Sequence, residues 1–287
     1  MSSEFSDFFG GGGGSSISRG WAMQVFAAKS ITFPKSGFVR VAVQSAGGSG
    51  AATAGATSTC ATGGNSGPWG VKVFRVAAND VLALSIGAGG ARPATGGSNG
   101  LQGGTTTATL NGTTIITAQG GEGGTYYNNV GTANAPAPAA TVTGCDFWVP
   151  GLRAGSATVA SGGQSVSGGA ASDILQSGLG RSPNATNNSV GMGGGSVGND
   201  VGSPVTPYLA LANWGLVSAS GSKGPGQGGI LGSIQPGFFG GGGSTNTASN
   251  NAYTDAIIGG GGGSGTSASL AGVGGAAYVY LQYEPVA

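Results

Sequence analysis

Between Phe38 and Gln44 the chain alternates, with Val39, Val41 and Val43 on one face of an extended strand and Arg40 and Gln44 on the other. Residues 71–76 read as a second strand, broken in its apolar pattern by Lys72 and Arg75. Residues 81–86 read as a third, with Leu82, Leu84 and Ile86 on one side, and Ala77-Ala78-Asn79-Asp80 forms a compact turn between the two. The sharpest local signal is Asn111-Gly112, set between the β-branched runs 105–110 and 113–118. Both central residues of a type I′ hairpin turn need positive φ, and this dipeptide supplies it. Residues 277–283 are the last clear strand, and no segment sustains a helical period; 208–214 and 173–176 are the best short candidates. The pattern predicts an all-β fold, a short-stranded β-sandwich-like framework in which residues 25–120 pair with 270–287. Residues 121–269 are then expected to project from it.

Composition changes how the connections are read. The chain has 65 glycines in 287 residues, spread from Gly10 to Gly275, so they are not one linker between two ordinary domains. No strict three-residue period and only 12 prolines exclude collagen. Abundant glycine in a charged, polar chain would mean disorder, but here charged residues are 7%, hydrophobic residues 38% and the net charge +1. Glycine adopts polyproline II readily, and helices of that kind without side chains can approach closely and bond backbone to backbone. Each buried amide must then find a partner. A packed, polyglycine II-like region is the favoured expectation, and glycine loops are the alternative. Either way Gly259–Gly263 supply the path back to the last strand.

The chemistry of catalysis is sparse. There is no histidine, so Ser-His and Cys-His nucleophiles are excluded. The acids Glu4, Asp7, Asp80, Glu122, Asp146, Asp173, Asp200, Asp255 and Glu284 are dispersed, with only Glu4 and Asp7 close in sequence, and read as solvated loop acids. The run GAGGARPATGG follows a strand but no helix follows it, so it fails as a phosphate loop. Cys60 and Cys145 make no zinc framework without histidine; they read as two free thiols, with a single bridge as the alternative. We therefore expect no enzyme activity, no cofactor and no metal. The near-neutral charge gives no basic patch for nucleic acid, and no apolar stretch approaches a membrane-spanning helix. The first residues lack the basic start and apolar core of a secretory signal.

The order of elements carries a resemblance. ITFPKSGFVRVAVQSAGGSG gives a proline turn, a strand and a glycine break; GPWGVKVFRVAANDVLALSIGAGG gives two strands and a second break. GGTTTATLNGTTIITAQGGEGG and the closing GVGGAAYVYLQY complete the layout. Over roughly residues 25–287 this resembles the glycine-rich domains of bacteriophage tail fibres and receptor-binding adhesins, while residues 125–207 depart from it. The resemblance implies a virion component of the tail or baseplate, made in the host cytoplasm. It also implies a homo-oligomer, commonly a trimer, that binds a bacterial surface receptor, either a glycan or a pilus or outer-membrane protein. A non-viral glycine-rich structural or ice-binding surface protein is the alternative, and a tail-associated glycan hydrolase a weaker one.

Aromatics mark the candidate contacts. Tyr126, Tyr127, Phe147, Trp148, Tyr208 and Trp214 fall in or beside the glycine-rich middle, where little aliphatic core is available to bury them. They read as receptor contacts or as small satellite cores. Asn128 and Asn129 supply adaptable hydrogen bonds beside them. In residues 1–24, Phe5, Phe8 and Phe9 precede the framework, and DFFGGGGGSS is echoed later by GFFGGGGSTN. That segment reads as an arm docking on another tail or baseplate protein, or as a plain terminus.

Overall fold

A computed structural model describes residues 20–55, 58–129, 131–159, 164–167, 169, 189–190, 255–256 and 258–286. Phe5, Phe8, Phe9, Tyr208 and Trp214, and both helix candidates, lie outside the described residues.

The fold is all-β. One antiparallel sheet has the order β1 (Trp21–Val25), β16 (Tyr278–Pro285), β3 (Gly37–Gln44), β5 (Trp69–Val76), β12 (Phe147–Val149). A second has the order β11 (Val142–Thr143), β8 (Thr113–Ala118), β7 (Thr106–Leu110), β6 (Val81–Ser85), β2 (Lys29–Thr32). They face each other across one core. Val39, Val41, Val43, Val279, Leu281 and Tyr283 come from the first sheet; Ile31, Leu82, Leu84, Ile116 and Val142 come from the second. Phe33 closes one end against Trp21 and Tyr283, with ring centroids 6.3 and 5.1 Å away.

The strand pattern predicts this arrangement well, because period-two burial decides which face of a strand turns inward. Asn111 and Gly112 take φ of 49° and 83°, as a type I′ turn requires. The chain ends pair as expected, β16 lying along β3 from Tyr278↔Gln44 to Pro285↔Gly37 and bonding β1 on its other edge. Two expectations need correction. Gln44 is buried rather than on an open face with Arg40, since its Nε2 donates to Gly67 O at 2.8 Å and Gly259 packs on its side chain. The framework also runs past the bounds 25–120 on both sides: residues 21–24 of the expected arm are in β1, paired with β16, while β11 pairs with β8 and β12 with β5 beyond residue 120.

Above the sandwich stands a body with few side chains. The chain leaves the sheets and returns to them repeatedly: β3 runs out through residues 45–54 and returns through 59–67 to β5. Residues 87–104 connect β6 to β7 in the same way, 119–141 connect β8 to β11, and 258–277 lead into β16. Residues 46–53 form its axis. Their amides donate in rotation to three neighbours: Gly47 and Gly50 to Gly275 and Gly272, Gly48 and Ala51 to Asn65 and Thr62, Ser49 and Ala52 to Leu101 and Ser98, all at 2.9–3.0 Å. Their carbonyls rotate likewise: Ala46 and Ser49 accept from Gly121 and Gly124, Gly48 and Ala51 from Gly262 and Gly265, and Gly47 from Gly90. From Gly47 to Ala52 each amide thus finds the same neighbouring segment as the amide three residues away, and two of the three carbonyl directions repeat in the same way. Glycine is required by this spacing: a Cβ on Gly47 would stand 1.9 Å from Gly260 O. Among the described residues, the body thus draws on 45–67 and 87–104, which were assigned to the sheet framework, as well as on 121–124 and 258–269 of the region expected to project.

Two smaller sheets flank it. One pairs β10 (Gly131–Ala133) with β13 (Ala157–Val159). The other has the order β15 (Ser189–Val190), β14 (Gln164–Val166), β4 (Thr59–Ala61), β9 (Tyr126–Tyr127).

Candidate functional site

The framework gives the molecule a direction. β3 enters the glycine body at Gln44, and β16 runs away from it to Pro285. Trp21 pairs with Tyr283, and the amide of Val286 donates to Ser36 O at 3.0 Å. Gly20 and Val286 therefore both lie at the sheet end remote from the body. The turns of the body gather at its opposite end, the apex.

Several contacts tie these turns together. Ala52 bridges to both Ser98 and Gly265, and Thr53 donates through its amide to Gly265 O and through Oγ1 to Thr266 O. Gly97, at φ 73°, has Ala54 Cβ and the Tyr126 ring 3.4–3.5 Å from where its own Cβ would stand. Asn99 Oδ1 accepts the amide of Tyr126 at 2.8 Å, and Thr95 Oγ1 and Ser98 Oγ share a hydrogen bond of 2.9 Å. The apex is thus built from hydroxyl, amide and aromatic groups on a hydrogen-bonded base.

The predicted aromatics divide into two groups. Tyr126 and Tyr127 are at the apex, on β9, paired with Ala61 and Cys60. Tyr126 is half-buried against Ala51, Ala61 and Val166, which answers to the satellite-core reading. Tyr127 is 41% exposed, and Asn128 and Asn129 beside it are exposed. Phe147 and Trp148 are elsewhere, on the edge strand β12, at 57% and 38% exposure, with Phe147 edge-on to Trp69 at 6.3 Å. Asn99 and Gly97 complete the apex and were not among the sequence candidates. A glycine-flanked Ser-Asn pair, Ser98-Asn99, is the only signal that points to them, and its reversed counterpart, Asn65-Ser66, is equally glycine-flanked but buried in the body.

Polar side chains brace the limbs beneath the apex. Glu122 accepts from Asn65 Nδ2 at 2.8 Å and from the amides of Ala139 and Ala140 at 2.7 and 2.6 Å, holding the return limb of the tyrosine turn. Arg153 Nε donates to Ala135 O on the same limb at 2.8 Å. Asp80 accepts from the amide of Ala77 and from Asn111 Nδ2, both at 2.7 Å, and these bonds, the backbone one foremost, lower its pKa. Asp146 accepts the amide of Val73, Asp255 that of Val273, and Glu284 the side chain of Gln282. Each of the five described carboxylates is thus held by a donor of its own chain. Among the described residues no three His, Cys, Asp or Glu side chains gather as a metal would need.

Both cysteines are free thiols. Burial pushes the Cys60 thiol above its usual value and raises Cys145 to about 11, with Lys72 pulling it down and Asp146 adding to the rise. Neither has the depressed pKa of an activated nucleophile. No family model matches this chain, and no curated protein matches it.

Proposed function

We propose that this chain is a host-recognition component of a bacteriophage tail, in which the glycine body is a polyglycine II-type bundle that holds a receptor-binding apex away from its point of attachment. The observation that carries the reading is the placement of Gly20 and Val286 at one end of the sandwich and of Tyr127, Asn128 and Asn129 at the other. Three-residue recurrence of hydrogen bonds is the period of polyproline II, and it makes a stiff support without a large apolar core. Loops on a stiff support are where recognition residues sit, because little ordering entropy remains to be lost on binding. The apex offers an aromatic ring, amides and hydroxyls, which suit a glycan or a protein surface.

The reading makes the protein a binding component rather than an enzyme. Its attachment runs through the remote end, with the segment before β1, which carries Phe5, Phe8 and Phe9, docking on another tail or baseplate protein. Saturable binding of the fluorescently labelled chain to intact bacteria, across a panel of strains, tests it. Binding that is blocked by excess unlabelled chain and lost after periodate or protease treatment of the cells is the expected result. Unsaturable adherence to every strain, or none to any strain or isolated envelope, refutes it.

A further inference from the structure

The outward face of the sheet β1-β16-β3-β5-β12 is unusually apolar for a surface of a described part of this chain. Phe38 and Val73 are 45% and 52% exposed, and Phe147 shares the face. Alternation places them together: with Val39, Val41 and Val43 turned into the core, Phe38 and Arg40 point out, and the register brings Arg75 and Val73 beside them. Strand pairing then aligns rows across the sheet. Arg75, Phe38 and Glu284 form one row; Val73, Arg40 and Gln282 form the next; Phe147, Val71, Ala42 and Tyr280 form the third.

Among the described residues Arg40, Arg75 and Glu284 of this face have no oppositely charged partner. The ion pairs among the described residues are Lys72–Asp146 and Arg92–Asp255. Arg75 instead lies over the Phe38 ring at 5.3 Å, and Glu284 accepts only from Gln282 Nε2 at 2.9 Å. Phe38 is thus flanked at one level by a cation on β5 and an anion on β16, the two strands that lie on either side of β3.

We propose that this face pairs with the same face of a second copy about a two-fold axis running along β3. Such an axis exchanges the places of β5 and β16. Each Arg75 then stands over Glu284 of the second copy, Phe38 meets Phe38, Val73 meets Gln282 and Val71 meets Tyr280. One axis therefore covers the apolar rows and pairs Arg75 with Glu284 twice over, as an isologous contact must. Sheets stacked face to face lie about 10 Å apart and pack in this aligned manner. Five strands at about 4.8 Å spacing and about 3.4 Å per residue give roughly 500 Å² of sheet per copy, but the end toward the glycine body is already covered, since Ala42, Gln44 and Tyr278 on this face are buried. The open area of the pair is therefore below about 1,000 Å², the size of a weak, transient interface. Two Arg40 side chains meet near the axis, which also keeps the association weak and reversible. The inference is independent of what the apex binds, and it places a dimer where the resemblance implies a three-fold fibre.

Sedimentation velocity of the whole chain over a concentration series tests it. A monomer–dimer equilibrium is expected, weakened when salt is raised from about 50 to 500 mM, since the pairing rests partly on exposed charges. Arg75→Glu and Glu284→Arg should each raise the dissociation constant at least about tenfold, and the double variant should restore it. Val73→Ser should weaken association without shifting thermal unfolding. A chain that stays monomeric up to about 0.5 mM overturns the proposal. A trimer, or a dimer unaffected by salt and by both single charge reversals, also overturns it. The salt series uses the native sequence, so the test stands if a variant fails to fold.

Discussion

Arg92 and Asp255 are 163 residues apart in the chain and meet through both carboxylate oxygens, at 2.6 and 2.7 Å from Arg92 Nη2. The guanidinium also donates through Nε to Ala271 O at 2.7 Å, while Asp255 accepts the amide of Val273 at 2.9 Å. One pair thus joins the segment that leaves β6 to the segment that returns to β16. In a body with almost no apolar side chains, such clasps do what a core does elsewhere.

Arg92→Ala should therefore destabilise the chain by about 1–2 kcal/mol, after allowance for the partial exposure of both groups. Arg92→Lys should recover little, because a single ammonium cannot reach both the carboxylate and Ala271 O in that fork geometry. Urea unfolding measures both. Equal stability of the two variants and the native chain would mean that the limbs are held by their backbone bonds alone.

Glycine substitutions separate close packing from simple turn geometry. A Cβ on Gly47 would lie 1.9 Å from the carbonyl oxygen of Gly260, and backbone cannot step aside as a side chain can. Gly47→Ala should cost at least about 3 kcal/mol or abolish folding. At Gly55, φ is 73° and nothing lies within 4 Å, so Gly55→Ala should cost only about 1 kcal/mol. Thermal unfolding that ranks the two alike would argue against a body held by backbone approach.

How far the sequence is legible follows from the same contrast. Val39, Val41 and Val43, and the Asn111-Gly112 turn, are read correctly because side-chain alternation and positive φ are local properties. Gln44 is misread because its burial comes from Gly67 and Gly259, which carry no pattern of their own. The apex is half-legible. Tyr126 and Tyr127 stand out as aromatics in a glycine-rich stretch, yet only contacts across the bundle separate the packed ring from the open one. Phe147 and Trp148 look alike to both in sequence, but pairing of β12 with β5 carries them to the sandwich.

Cys145 gives a pH signature. Burial raises its pKa to about 11, above the 9.0 of a solvated thiol. The folded chain therefore holds this proton where the unfolded chain has lost it. The contribution to stability is complete below about pH 9 and is lost as pH rises toward 11. Alkylation of the native chain at pH 8 should be slow and should quicken in urea, and Cys145→Ala should flatten the fall in stability above pH 9. Rapid native labelling at pH 8 would contradict the burial that causes the shift.

The segment before β1 leads to a prediction that leaves the domain intact. If Phe8 and Phe9 fill apolar pockets on another tail protein, each is worth about 1.5–3 kcal/mol when fully buried. Changing both to Ser should leave thermal unfolding unchanged while purified particles lose this chain. Particles that retain it in normal amount would rule out docking through these rings.

The apex itself yields the most discriminating experiment, because neighbouring tyrosines should behave differently. Tyr126 packs on Ala51, Ala61 and Val166, and its amide is held by Asn99. Tyr126→Ala should cost about 2 kcal/mol of stability through lost packing, whatever it does to binding. Tyr127 is open, so its replacement by Ala should move stability by less than about 0.5 kcal/mol. If it is a recognition anchor, the same change should weaken binding to bacteria by about 2 kcal/mol, roughly thirtyfold. Asn128→Ala and Asn129→Ala should weaken binding less, as adaptable contacts at its rim. Trp148→Ala should leave binding intact, because β12 places it on the sandwich and away from the turns. Cell-binding isotherms beside thermal unfolding give both quantities for every variant. If Trp148→Ala abolishes binding while Tyr127→Ala binds like the native chain, recognition belongs to the sheet edge, and the molecule presents itself to its receptor side-on.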